Sequence, residues 1–400
     1  MIHTFSISNY RSIREEVTLD LRIPRTAPDL PCFRPSTARP GVRLPAVAVL
    51  IGPNGSGKTT LLNALTDLGR IASSPTSRLP VLPFLSGETA SAPTHFALEG
   101  EADFLTPGDN PRRFRYELTI GRRQEANGKT SGFVERETLW HFPNGRRRRL
   151  LERPAASAPI YASKDFGLTA RDDRLRGVER NRSAIATLAL VNVPVAARFA
   201  RLMGDRLLFA CNLVGNETVQ PKTSTVIGWL ESHEDERRWA RTLVRRSDLG
   251  ISDLGVVSAH GNKELWFEHK GLDSPILLSL ESTGTKELLH LLPLVRQALT
   301  RTRLAILDEI DGALHIDMLV ELLSWFRSRD TNPRDAQLLI SSHHVGILDD
   351  LEKEEVFIIE KADCGATRVY GAQDIRGLRR DVRLYPKYRS GMLGGLPRIG

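Results

Sequence analysis

Gly52 to Thr59 reads GPNGSGKT and matches the spacing GxxxxGK[ST] in full. Glycines in that pattern let a backbone wrap closely around phosphates, with several N–H groups aimed inward at a helix N-terminus. Lys58 would reach the β- and γ-phosphates, and the Thr59 hydroxyl would ligate magnesium. Gly52, Pro53, Asn54, Gly55, Ser56, Gly57, Lys58, Thr59 and Thr60 together form the candidate ATP-contact segment. A second feature is LAILDE, Leu304 to Glu309, an apolar run ending in two carboxylates. Asp308 suits a magnesium shell and Glu309 suits polarising an attacking water, because phosphoryl transfer rests mostly on positioned charge. The same acids would also suit the first turn of a following helix. LLISSHH ends at His343, which could donate a hydrogen bond to a γ-phosphate. The stretch ESTGTKELL sets Ser282, Thr283, Gly284 and Thr285 ahead of leucines at helical spacing, which alone reads as a Ser/Thr helix cap.

Those residues need elements to hold them. AVAVLI, residues 46–51, is a short apolar run that suits a buried parallel strand, and KTTLLNALTDL after the glycines has helical periodicity. IHTFSISNY alternates and reads as a strand with a partner in EEVTLDLRI. Alternating segments between Phe96 and Glu152, punctuated by PNG, predict an antiparallel sheet. Residues 180–247 read as helical, and LGVVSAHGNKELWFEH as a hairpin. The last third alternates helix and strand, which predicts a parallel sheet covered by helices. Pro293 would kink the helix after ESTGTKELL or end it early.

The order of phosphate loop, ESTGTKELL, LAILDE and SSHH resembles the ATP-binding-cassette class of P-loop ATPases, in particular its SMC/RecF-like branch. A Ser- and Gly-bearing signature precedes the acidic strand in that class, and here 24 positions separate Gly284 from Asp308. The resemblance implies an α/β ATPase head: a P-loop sheet plus an antiparallel β subdomain, with a helical insertion. Residues 1–150 would form the N-terminal part of the head, 151–250 a mostly helical insertion, and 251–400 the C-terminal part. It also implies that Ser282, Thr283, Gly284 and Thr285 meet the γ-phosphate held by a second copy, in a homodimer around two ATP molecules. FSISNYRSI looks like the opening strand of this branch, which would make Arg11 a phosphate contact. LDEIDGALHID and the C-terminal stretch look like a bacterial family of stand-alone ATPases related to the OLD proteins and associated with abortive infection and phage defence. The sequence departs from the class in three ways: no glutamine loop is evident between Leu68 and Arg122, Pro293 interrupts the signature helix, and Ser-His-His replaces Thr-His-Asn.

Composition bounds the remainder. The chain has 400 residues, 40% hydrophobic and 26% charged, with a formal net charge of +8. That is ordinary for a globular protein with a moderate basic excess. Cys32, Cys211 and Cys364 are scattered, so a disulfide framework or zinc site is not expected and a reducing cytoplasm is. No signal-peptide layout opens the chain and no run approaches 18 apolar residues, so no membrane contact is expected. Too little sequence follows His343 for a Toprim nuclease, so any cutting is expected of a separate effector nuclease or toxin. Nucleic-acid contact stays open through NGRRRRLLE, Asn144 to Glu152, and through the tail from Arg376 to Arg398 with Tyr385 and Tyr388. Two other readings stay open: a RecF-like ATPase clamping DNA, and a scaffold that binds ATP and turns it over slowly.

Overall fold

The computed structural model describes the chain apart from residues 107, 109, 127, 156–157, 170–171, 207–208, 213–222, 247–249, 260–261, 302–303, 310–313 and 397–400, and only the backbone of 205–206, 209–212 and 259. The run 310–313 after the paired acids, part of ARDDRL, and Arg398 of the tail therefore lie outside the described residues.

The alternating N-terminal segment forms β1 (Ile2–Ser8), which pairs antiparallel with β2 (Val17–Asp20) as its pattern predicts. Two three-residue strands, β3 (Phe33–Pro35) and β4 (Arg43–Pro45), sit within the Pro- and Arg-rich stretch. The apolar run becomes β5 (Val47–Ile51), with all five residues buried, and α1 (Lys58–Ser73) follows the glycine loop. Then come β6 (Thr94–Ala102), β7 (Arg112–Gln124), β8 (Thr130–His141), β9 (Arg148–Arg153) and β10 (Tyr161–Ala162). With β1 and β2 these make a seven-stranded antiparallel sheet in the order β10-β9-β8-β7-β6-β1-β2. Along β7 every second side chain from Phe114 to Ile120 is buried, so one face packs on a core and the other meets solvent. At the PNG turn, Asn144 and Gly145 take φ of 51° and 76°, left-handed values that Asn and Gly tolerate best.

The stretch read as helical is interrupted. It holds α2 (Ala184–Leu190), α3 (Pro194–Arg201), a strand β11 (Phe209–Asn212), α4 (Thr223–Ser232) and α5 (Glu234–Arg246). β11 pairs in parallel with the strand of the paired acids. The 151–250 segment thus contributes to the main sheet, and β9 crosses position 150. Next are β12 (Ile251–Ala259), β13 (Asn262–His269), β14 (Ile276–Leu277), α6 (Thr283–Arg301), β15 (Leu304–Asp308), α7 (Ile316–Arg327), β16 (Gln337–Ser342), β17 (Val356–Lys361), β18 (Thr367–Gly371) and α8 (Leu384–Arg389). β12 and β13 form the expected hairpin.

The second sheet has the order β11-β15-β16-β5-β17-β18. Its first five strands run parallel, whereas β18 returns antiparallel on β17, because the short connection 362–366 can close a hairpin but not a crossover. This sheet is buried on both faces. Ala48, Leu50, Ile306 and Leu339 join the core shared with α1 and the seven-stranded sheet, while Val47, Val49, Ile51, Leu307 and Ile340 join the core under α6 and α7. Continuous apolar runs with period-two side chains are what such a doubly covered sheet requires. Trp229, Trp239 and Trp325 pack edge to face, with centroids 6.2 and 6.1 Å apart, tying α4 and α5 to α7. Among the described residues no single helix is long and apolar enough to cross a membrane.

Candidate nucleotide-binding site

β5 delivers the chain to the glycine loop at the C-terminal edge of the parallel strands, where open α/β sheets bind ligands. A Cβ on Gly52 would come within 2.0 Å of the Ile359 carbonyl, so only glycine fits there. Gly57 has φ of 113°, and a Cβ on it would meet Thr367 Oγ1 at 2.2 Å. Both constraints hold the loop tightly as it enters α1. The Lys58 side chain is buried and donates to the carbonyls of Gly52 at 2.7 Å and Pro53 at 3.2 Å. Its Nζ also lies 3.4 Å from His343 Nδ1.

The strand order β15-β16-β5 brings the paired acids and the histidine to the same edge. A cavity of about 590 Å³ opens there, lined by Ser12, the loop from Asn54 to Thr60, Glu309, His343 and His344. Glu309 has φ of 51°, and its Oε1 lies 3.9 Å from His343 Nε2. Asp308 is buried at the end of β15 and accepts a hydrogen bond from the Ser341 hydroxyl at 2.5 Å. Asp308 does not line the cavity, nor do Gly52 and Pro53.

The residues present suit a phosphate group. Ser56 is 1% exposed and its Oγ has no hydrogen-bond partner, an orphan donor within a loop whose backbone already curves around the cavity. Among the described residues no group of three or more His, Cys, Asp or Glu side chains could hold a metal by itself. Magnesium here would be held by one or two protein oxygens and completed by substrate phosphates, as that ion ordinarily is.

Three residues at the site carry no local sequence signal for their contacts. Ser12 lies beside Arg11 and lines the cavity, with its Oγ 3.3 Å from Thr60 Oγ1 and 2.9 Å from Thr367 Oγ1. Thr367 donates from its hydroxyl to the Ser56 carbonyl at 2.8 Å and from its N–H to the Ser12 carbonyl at 2.8 Å. Ser341 is the third. By contrast, Arg11 is exposed, does not line the cavity, and sets its guanidinium 5.5 Å from the Tyr10 ring. Its N–H and the Asn9 side chain instead fasten the loop between α1 and β6, where a glutamine loop would stand: Arg11 N donates to Leu82 O, and Asn9 Nδ2 to Thr89 O and Ala92 O.

Ser282 caps α6, accepting from the Thr285 N–H at 3.1 Å. Ser282 and Thr283 are exposed and, like Gly284 and Thr285, lie outside the cavity of their own chain. α6 runs unbroken past Pro293 to Arg301, against the expected early end. Six leucines and a valine of this helix are buried, and that packing outweighs the missing N–H. In the basic stretches, Arg147 stacks 3.7 Å from the Trp140 ring centroid and Arg149 pairs with Glu152. In the tail, Arg380 pairs with Glu352 and Glu354. Tyr388 is buried and donates to the Gly395 carbonyl, so of the two tail tyrosines only Tyr385 is accessible for stacking.

A doubly covered parallel sheet that feeds a GxxxxGKT loop, with an acid pair and a histidine converging on the loop, defines a P-loop ATPase domain. Residues 47–349 match the family described as "AAA domain, putative AbiEii toxin, Type IV TA system", and the chain belongs to that family. No curated protein matches the sequence. Among solved structures the chain is similar to the SMC head domain from Thermotoga maritima, with 12% identity, TM-score 0.42, and coverage of 92% of this chain and 98% of that one. It is also similar to the Smc head domain with an extended coiled coil bound to the C-terminal domain of ScpA from Pyrococcus furiosus, with 10% identity, TM-score 0.47, and coverage of 97% and 98%. A third is the Smc head domain with a coiled coil and joint from Pyrococcus yayanosii, with 12% identity, TM-score 0.44, and coverage of 97% and 99%.

Proposed function

We propose that the protein binds ATP with magnesium in this cavity, hydrolyses it, and uses the cycle of dimer closure and release to control a partner effector. The observation that carries the reading is one cavity lined jointly by the phosphate loop, Glu309 and His343. In it Lys58 exchanges its bonds to the loop carbonyls for phosphate oxygens, Thr59 would ligate the metal, and Asp308, set back at the end of β15, would hold the metal's shell from behind the cavity wall. Glu309 orients and polarises the attacking water, and His343 donates to the γ-phosphate. Magnesium, when bound, supplies charge neutralisation on the phosphates. Ser282, Thr283, Gly284 and Thr285 complete the site of a second copy, an assignment supported by the exposure of Ser282 and Thr283 and by all four lying outside the cavity of their own chain.

The family description names a toxin and a toxin–antitoxin system, which supports a role in antiphage defence. In this reading the ATPase senses or regulates, and a separate nuclease or toxin acts. Purified protein should hydrolyse ATP in a magnesium-dependent way. Lys58→Ala should weaken ATP binding by more than about tenfold, the scale of losing charge-assisted hydrogen bonds. Wild-type protein that neither binds nor hydrolyses ATP would end the proposal. Co-purification from its native host should retrieve a nuclease or toxin chain; a preparation that stays free of partners in cells under phage attack argues against effector control.

A further inference from the structure

Ser341 is a buried polar residue on β16, a strand covered on both faces and otherwise apolar from Leu338 to Ile340. At such a position an aliphatic side chain is the ordinary choice, and a buried hydroxyl calls for partners. Ser341 has two. Its Oγ donates to Asp308 Oδ1 at 2.5 Å and accepts from the Glu309 N–H at 2.8 Å. The directions are forced, because a hydroxyl has one proton and an amide nitrogen can only donate. One hydroxyl therefore bridges the Asp308 carboxylate and the Glu309 N–H, on either side of the peptide that joins the two acids.

That peptide is where the chain leaves β15 and turns. Glu309 adopts φ of 51°, a left-handed conformation that disfavours non-glycine residues and persists only where surroundings enforce it. The turn takes the Glu309 N–H off the strand ladder and aims its side chain into the cavity, 3.9 Å from His343 Nε2. We infer that Ser341 is a positioning residue for hydrolysis, fixing the Asp308–Glu309 turn so that the Glu309 carboxylate faces the γ-phosphate side of the cavity. This rests on the ATPase reading above. Ser341 does not line the cavity and reaches substrate only through Glu309.

The test compares Ser341→Ala and Ser341→Thr with wild type, each also in a Glu309→Gln background. Ser341→Ala should lower kcat by about tenfold or more, the scale of a lost hydrogen bond to a charged group, and leave the dissociation constant for magnesium–ATP within about threefold. Ser341→Thr keeps the hydroxyl and should recover most of the loss. In the Glu309→Gln background the alanine substitution should cost nothing further, since the two changes act through one group. A readout in the nucleotide-free protein accompanies these: hydrogen exchange at the Glu309 amide should accelerate in Ser341→Ala and return in Ser341→Thr. Unchanged kcat and exchange in Ser341→Ala overturn the inference. So does a loss that persists in full beside Glu309→Gln, or one that appears only as weaker magnesium–ATP binding. If Ser341→Ala does not fold, Ser341→Cys, which keeps the size with a weaker donor, takes its place under the same criteria. Wild-type protein without turnover overturns the ATPase reading itself, and that control contains no substitution at Ser341.

Discussion

Glu309 lines the cavity with its backbone turned left-handed and its carboxylate 3.9 Å from the His343 ring. Glu309→Gln keeps shape and hydrogen bonding but removes the charge that would polarise water. It should leave ATP binding intact and slow turnover by about a hundredfold or more, the usual worth of a positioned base. Steady-state hydrolysis together with equilibrium binding of a fluorescent ATP analogue checks both halves; a wild-type rate would remove Glu309 from its role. Lys58, Thr59, Glu309 and His343 were readable from the sequence because each belongs to a short pattern with a recognisable flank. Ser12, Ser341 and Thr367 were not. Their partners at the site lie 32 to 355 positions away, and no local pattern encodes a hydrogen bond across that separation.

At the level of the elements, the phosphate loop is shaped by what stands behind it. Gly57→Ala would force a Cβ against Thr367 and strain a φ of 113°. It should lower stability by about 1–3 kcal/mol and weaken ATP binding, read by thermal melting with and without nucleotide. A second element carries a pH signature. Glu101, at the end of β6, is buried, which pushes its pKa up. A contact with His3, the Ser36 hydroxyl and the Ala38 N–H outweigh burial and bring it to about 2, below the ordinary 4.5. A depressed carboxylate pKa means stability is fully present above pH 4.5 and is lost as pH falls through that value toward 2. Glu101→Gln should flatten that acid limb in a series of melting curves; an unchanged limb would assign acid sensitivity elsewhere. Alternation and apolar runs identified most strands correctly, because sheet faces impose a period of two. β11 escaped notice since four residues inside a long helical pattern give no such signal, and the run through Pro293 escaped it since tertiary packing overrides a local rule.

For the whole molecule, the exposed cap of α6 and the cavity lie apart on one chain. If two copies complete each other's sites, Ser282→Arg should bind ATP yet fail to turn it over. Mixing it with Lys58→Ala should restore measurable hydrolysis, because each mixed pair then contains one intact composite site. Two inactive variants that stay inactive when mixed would remove the shared-site model. The parallel sheet and its covering helices were legible from the order of patterns along the chain. How the two sheets join was not, since the join is made by contacts between segments far apart in sequence.

That join has a consequence for the newborn chain. Ser56 at the bend of the phosphate loop is fastened by Thr367, and Thr367 in turn by Ser12. A polypeptide still on the ribosome, with its first 300 residues emerged, owns every atom of the glycine loop but lacks the clasp that shapes it. Nucleotide capture would thus wait on the arrival of β18, and half-made copies would draw no ATP from the cell.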